Sequence, residues 1–194
     1  MRNMYNCFFK RIFDILGGIS LLLILAIPML LIALITQWDS VGGAFFVQKR
    51  CGKEKQPFKI LKFRTLPKDA PTDVPTNDLL GVRPTRWQRW LRRTSLDELP
   101  QVINILTGDM SFIGPRPVVL EEQELIHERD KYKANDVLPG LTGWAQVNGR
   151  DELDYVTKAR LDGEYVSQMG LRMDIKCLFY TFFQVLRQEG IKEI

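Results

Sequence analysis

"ILGGISLLLILAIPMLLIALI", residues 15–35, carries no charged side chain and consists mostly of Leu and Ile. About 20 such residues in a helix cross the hydrocarbon of a bilayer. The run is too long for a signal-peptide core and no A-x-A cleavage pattern follows it, so it is expected to stay attached. Pro28 lies inside it, where a missing backbone donor bends or breaks a helix. Arg2, Lys10 and Arg11 flank one end, and Lys49, Arg50, Lys53 and Lys55 follow the other. The positive-inside rule favours the cytoplasm for both flanks, which a straight span cannot provide. Two arrangements answer this. One is a re-entrant helix that turns near Pro28 and returns to the same face; the other is a kinked transmembrane anchor. Tyr5, Phe8, Phe9, Ile12 and Phe13 form an apolar stripe suited to the membrane interface.

Beyond this segment the chain, 194 residues in all, has room for one folded domain. Hydrophobic residues make up 45%, as in ordinary folded proteins, and no repeat or low-complexity tract occurs. The net charge of +4 points to an anionic partner without naming it. Cys7, Cys51 and Cys177 are odd in number, far apart and form no C-x-x-C, which argues against a disulfide framework or zinc site and for a reducing compartment.

Residues 44–64 read as a β-hairpin, with "AFFVQKR" and "FKILKFR" as strands and "CGKEKQP" between them. Residues 67–84, rich in Pro, Asp and Thr, read as a loop. "TRWQRWLRRT", residues 85–94, puts Trp87, Trp90 and Leu91 on one helix face and Arg86, Arg89 and Arg93 on another. Such a face suits anionic lipid headgroups at the interface. Single-stranded nucleic acid is the competing partner, and the neighbouring membrane segment favours lipid and no nucleic acid. An ordinary surface helix also fits. Glu124, His127 and Glu128 read as a solvated helix face rather than a metal cluster. "MDIKCLFYTFFQVLRQ", residues 173–188, spaces Ile175, Leu178, Phe179, Phe182 and Leu186 as a core or membrane-surface helix.

"RRTSLDELPQVINIL", residues 92–106, has two readings. Ser95 and Glu98 fit a capping box opening a helix that carries Leu99, Val102, Ile103 and Leu106 inward. Pro100 sits too far on for that cap, which moves the start toward Asp97. There the Asp97–Glu98 pair would lie beside free amide groups, where a phosphate could approach. Three cationic stretches accompany it. "GPRP", residues 114–117, holds Arg116 between two φ-restricted prolines. "PGLTGWAQVNGR", residues 139–150, would align Gln146, Asn148 and Arg150 on one side of an extended segment. "KFR", residues 62–64, projects Lys62 and Arg64 to one side of a strand. Each has an ordinary structural reading as a turn, a loop or a solvated edge. Together they suit a pyrophosphate substrate delivered to a membrane-bound acceptor.

"FVQKRCGKEKQPFKILKFRTL" (46–66), "LRRTSLDELPQVINILTGDMSFIGPRP" (91–117) and "PGLTGWAQVNGR" (139–150), in that order, closely resemble the monotopic phosphoglycosyl transferases of bacteria. The resemblance covers nearly the whole chain, whose length is similar to the minimal members. It implies an α+β, mostly helical fold. Residues 1–38 would form an interfacial and re-entrant membrane helix broken near Pro28. Residues 39–194 would form a compact cytosolic catalytic domain with a small β-hairpin and interfacial amphipathic helices. It implies transfer of a sugar-1-phosphate from a UDP-sugar to undecaprenyl phosphate with release of UMP, the first membrane step of O-antigen, capsule, exopolysaccharide or glycoprotein assembly. The setting is the cytoplasmic face of the bacterial inner membrane, with Mg²⁺ as cofactor and anionic lipids as partners; a homo-oligomer is compatible with it.

By the same resemblance Asp97 is the nucleophile that forms an aspartyl-phosphosugar intermediate, and Glu98 is a metal ligand. Lys62, Arg116, Gln146, Asn148 and Arg150 fall on the family's substrate-binding motifs, and Arg64 joins them as a phosphate-binding candidate. Ile27-Pro28 stands where members often have Ser-Pro, and Leu66 where they often have Met. Asp97 acting as a base in direct transfer, a tethered nucleotide-sugar binder and a membrane-anchored phosphoesterase are the alternatives.

Overall fold

The computed structural model describes residues 8–68, 70, 83–149 and 152–187. Arg2, Tyr5, Arg150 and most of the loop expected over 67–84 lie outside the described residues. The chain order is α1 (Lys10–Asp39), β1 (Phe45–Cys51), β2 (Pro57–Phe63), α2 (Arg86–Arg93), α3 (Gln101–Thr107), β3 (Ser111–Ile113), α4 (Gln123–Asp130), β4 (Gly140–Thr142), α5 (Tyr155–Ser167) and α6 (Leu171–Arg187). The fold is α+β and mostly helical, with two small two-stranded sheets among the described residues.

The apolar run forms α1, and Pro28 lies inside it without splitting it into two helices. One missing donor removes one rung of the ladder, and Leu-rich turns on either side keep the rest. The buried residues of α1 fall in two groups spaced by four, Lys10, Asp14 and Gly18 at one end and Ile32 and Thr36 at the other. Between them Leu23, Ile24 and Ile27 are 72–74% exposed. At the first end Lys10 Nζ pairs with Asp174 Oδ2 of α6 at 2.7 Å. Arg11 donates to the carbonyls of Ile105 and Leu106 at 2.6 and 2.8 Å, which satisfies the C-terminal turn of α3. Asp14 Oδ1 accepts from the Ser111 hydroxyl and the Phe112 amide, both at 3.0 Å. At the other end Ile32 packs with Phe63 and Leu91, and Thr36 Oγ1 accepts from Trp87 Nε1 at 3.0 Å. Both ends of α1 are therefore fastened to the same domain.

β1 and β2 form the expected hairpin, in register from Phe45↔Phe63 to Cys51↔Pro57. Because Phe46 pairs with Lys62, strand alternation puts Phe46, Gln48 and Arg50 on the face that carries Lys62. Asn104 of α3 locks this hairpin in place. Its Nδ2 donates to Lys59 O at 2.8 Å and its Oδ1 accepts from Leu61 N at 3.0 Å, so one amide substitutes for a neighbouring strand. In α3, Gln101, Val102, Asn104 and Ile105 face inward, whereas Ile103, expected inside, is exposed. Gly108, at φ +95, ends the helix in the left-handed conformation.

A parallel pair that sequence reading did not anticipate joins β3 to β4, Ser111 to Gly140 and Ile113 to Thr142. It continues through Gly114 N to Thr142 O (2.8 Å) and Gly140 N to Pro115 O (2.9 Å). A side chain at Gly140 would drive into the Gly114 backbone, so glycine is required there. The pairing fixes the base of the "GPRP" turn.

α2 opens on a capping box between Thr85 and Gln88 and leaves Arg86, Arg89 and Arg93 exposed. Leu91 is buried, and Trp87 stacks on the exposed Trp90. α6 turns Met173, Asp174 and Cys177 inward. Ile175, Leu178, Phe179 and Phe182 stand exposed, so the stripe found in the sequence is the outer face of this helix. Cys51 and Cys177 are free and buried.

Replacing Asn104 by Ala strands the part-buried Leu61 amide and Lys59 carbonyl of β2. The expected loss is on the order of 2–4 kcal/mol, read as a lower unfolding midpoint of the detergent-solubilised protein. An unchanged midpoint would show that the hairpin is held without this residue.

Candidate active site

Asp97 and Glu98 lie in a 3-10 turn, Leu96–Glu98, between Ser95 in a left-handed conformation (φ 56) and Pro100. No side-chain cap bond is made at Ser95, and α3 starts only at Gln101. The capping-box reading is therefore corrected, as is a cap at Asp97. The left-handed Ser95 turns the chain before a helix can form, and Pro100 precedes the first helical residue. Freed from capping, both carboxylates are buried, with 8% and 9% of their residues' surface exposed.

The two carboxylates have different surroundings. Glu98 Oε1 accepts from Lys62 Nζ at 2.9 Å and from Arg116 Nη2 at 2.6 Å; Arg116 Nη1 also lies 3.4 Å from Oε2. Lys62 comes from β2, and Arg116 from the turn between Pro115 and Pro117. Three chain segments thus meet at one carboxylate. Burial works against ionisation of Glu98, but the Arg116 and Lys62 charges and their hydrogen bonds outweigh it, holding Glu98 well below the usual glutamate range. Burial lowers the Lys62 ammonium, and Glu98 opposes that.

Asp97 has no hydrogen-bond or ion-pair partner among the described residues. Burial, aided by the Glu98 charge, pushes its carboxyl up to about 6, against the pull of Lys62, Arg92 and Arg116. At neutral pH it is still mainly ionised. A buried, ionised and unpartnered carboxylate beside clamped cations has the character of a nucleophile or a base.

The remaining sequence candidates are placed differently. Arg64 donates to the carbonyls of Gly43 (3.2 Å) and Phe45 (2.9 Å) and packs over Phe46, so it fastens the α1–β1 connection rather than meeting the carboxylates. Gln146 and Asn148 lie on a 3-10 turn, Gln146–Asn148, not on an extended segment. The expected common side is lost: Gln146 is buried with neither amide atom partnered, and exposed Asn148 donates to Trp144 O at 2.7 Å. Arg150 is among the residues not described. Sequence reading missed Gln48 and Arg50. Arg50 stands close enough to Arg116 and Glu98 for their charges to act on it. The signal that places it beside Lys62 is the hairpin register, in which Phe46 faces Lys62 and strand alternation brings Arg50 to the same face.

His127 and Glu124 are exposed, and no group of three or more His, Cys, Asp or Glu side chains converges among the described residues. A preformed protein cage for a metal is therefore not found there. The Asp97–Glu98 pair does fit Mg²⁺ of the kind held by one or two carboxylates together with substrate phosphates and water.

A buried acidic pair under basic clamps, in a fold that also carries one helix long and apolar enough to cross a membrane, is the candidate active site. The sequence profile described as "Bacterial sugar transferase" matches residues 5–188. Over 95% of this chain and 90% of its own length, the "Uncharacterized sugar transferase EpsL" of Bacillus subtilis is 36% identical. The "Exopolysaccharide production protein ExoY" of Rhizobium meliloti is 34% identical over 93% of this chain and 87% of its length. The "UDP-glucose:undecaprenyl-phosphate glucose-1-phosphate transferase" of Escherichia coli is 38% identical over 92% of this chain, which spans only 40% of that protein. The chain belongs to the bacterial sugar transferase family.

The environment of Asp97 carries a cost to stability. Its folded pKa, about 6, lies above the ordinary 3.8, so the fold disfavours the charged form and loses stability as pH rises through this interval. Asp97→Asn removes that charge. It should raise the melting temperature at pH 7.5 by a few degrees. A fall instead would mean that the ionised carboxylate is structurally required.

Proposed function

We propose that this chain is a monotopic phosphoglycosyl transferase. It moves a sugar-1-phosphate from a UDP-sugar to undecaprenyl phosphate, releases UMP and passes through an aspartyl-phosphosugar intermediate. The observation that carries this reading is the division between two neighbouring carboxylates, Glu98 clamped by Lys62 and Arg116 and Asp97 left without a partner. The name of the Escherichia coli relative supplies the donor and acceptor classes.

An Asp97 oxygen attacks the phosphorus that bears the sugar. A bond to Asp97 forms as the bond to the bridging oxygen breaks, and UMP leaves with that electron pair. An oxygen of undecaprenyl phosphate then attacks the same phosphorus. The bond to Asp97 breaks, its carboxylate is regenerated, and the polyprenyl diphosphate sugar departs. Lys62 and Arg116 offset charge on the diphosphate oxygens. Mg²⁺ held by Glu98 together with substrate oxygens would supply Lewis-acid charge neutralisation. Glu98 is suited to that because its neighbours keep it ionised.

We further propose that α1 is re-entrant, so that the domain works at the cytoplasmic face of the bacterial inner membrane. Support comes from Lys10 and Thr36, at opposite ends of α1, which are both bonded to the one domain while the middle of the helix is bare. A straight helix of 30 residues would place its ends about 45 Å apart on opposite sides of a bilayer. The exposed apolar face of α6 adjoins one end and Trp90 of α2 the other, where both can enter the interface.

With a panel of UDP-sugars labelled in the β-phosphate, Mg²⁺ and no lipid acceptor, label should bind the protein in step with UMP release. Asp97→Asn should abolish both, and the trapped yield should fall about tenfold per unit below a pH of about 6, as Asp97 protonates. UMP released only once acceptor is added would favour direct transfer with Asp97 as a base. For topology, cysteines placed at Arg2 and at the fully exposed Val41 should resist an impermeant thiol reagent in intact spheroplasts and react after lysis. Labelling of either before lysis would overturn re-entry.

A further inference from the structure

Arg50 belongs to β1, on the hairpin face that carries Lys62. Its Nε and Nη2 both donate to Gln48 Oε1, at 3.0 and 2.6 Å, and Nη1 approaches Pro117 O at 3.5 Å. All three contacts go to neutral oxygens. No carboxylate among the described residues lies within ion-pair distance of this guanidinium. Glu98 is engaged by Lys62 and Arg116, Glu122 Oε2 accepts from Val119 N, and Glu121 is exposed. Arg50 also sits in the field of Arg116, a like charge. Cations withdrawn from water are ordinarily paired, and two guanidiniums gathered at one place call for an anion between them. The Gln48 amide pre-orients the fork, which lowers the entropy lost on gripping such an anion.

We propose that Arg50 is a phosphate anchor of this site, seated by Gln48 and the Pro117 carbonyl to grip, with Arg116, a phosphate group of the substrates. The inference rests on the reading under Proposed function for which substrates those are. The phosphate comes from the donor diphosphate or from the acceptor monophosphate, and kinetics distinguish the two.

Arg50→Met removes the charge while keeping much of the side-chain length, and Arg50→Lys keeps a charge without the fork. The full-length protein in nanodiscs is assayed with each substrate varied in turn, and its binding of inorganic pyrophosphate is measured by calorimetry. Arg50→Met should raise one KM about tenfold or more, with a smaller effect from Arg50→Lys. A rise confined to the UDP-sugar assigns Arg50 to the donor, and a rise confined to undecaprenyl phosphate assigns it to the acceptor. A fall in kcat with both KM values and pyrophosphate affinity unchanged would overturn the proposal and make Arg50 a positioning residue for the "GPRP" turn. No change in any of these also overturns it. If Arg50→Met does not fold, Arg50→Lys alone decides by the same KM criterion. If the wild-type chain turns over no UDP-sugar, the functional reading fails by itself, and pyrophosphate affinity, weakened about tenfold in the variants or not, still decides for or against Arg50.

Discussion

The Glu98 carboxylate, held between Lys62 and Arg116, is the contact on which the architecture turns. The three residues of this contact come from separate parts of the chain: Lys62 from the second strand of the hairpin, Glu98 from the 3-10 turn before α3, and Arg116 from the proline-bracketed turn after β3. Each segment has its own fastening. Asn104 joins the hairpin to α3, and the β3–β4 pairing fixes the base of the "GPRP" turn. The buried charges cost desolvation, and a clamp of this kind persists because two cations and their hydrogen bonds act on one acid. Removing either cation would leave Glu98 buried beside a single partner and would loosen the junction of hairpin and turn.

The long apolar helix α1 is tied to the same junction through its neighbours. Arg11 bonds the terminal carbonyls of α3, and Asp14 holds the start of β3, so the first turns of α1 brace the two elements that flank the site. The far end of α1 packs on Phe63, the residue after Lys62. A displacement of either end of the apolar helix would therefore reach Glu98 within a few bonded contacts. This contact gives a physical reason for α1 to stay packed against the fold rather than sit on a flexible tether.

What could be read in the sequence was what depends on near neighbours. The apolar run, the hairpin with its turn residues, and the Trp–Arg helix are local patterns, and they appear where the residues place them. The Ser95 capping box failed because a left-handed residue and a proline, acting together, cut the helix short at its start. The β3–β4 pair was hidden because each strand is three residues long and the partners lie far apart in the chain; only the close approach of Gly114 and Gly140 makes it possible. Asn104 carries no local signal in the sequence, because its two bonds to β2 exist only once the hairpin has docked. Arg64 and Arg50 illustrate the limit at the site. Both are arginines on a β-hairpin, and tertiary contact alone sends one to backbone carbonyls and the other toward Arg116.

Asp97 and Glu98 are adjacent carboxylates under the same cations, and yet their pKa values move in opposite directions. The cause is the 3-10 turn. At three residues per turn, consecutive side chains point about 120° apart, so a cation that reaches Glu98 at hydrogen-bond distance acts on Asp97 only through space. Glu98 gains contact and charge together, while Asp97 keeps the burial and adds repulsion from its neighbour. An α-helical start at Ser95 would have set the pair about 100° apart and offered helix amides to Asp97, lowering its pKa. The left-handed Ser95 and Pro100 therefore shape the electrostatics of the pair as well as the path of the chain. By keeping the turn tight and the amides away, they leave Asp97 buried without a partner while Glu98 joins the hairpin to the "GPRP" turn.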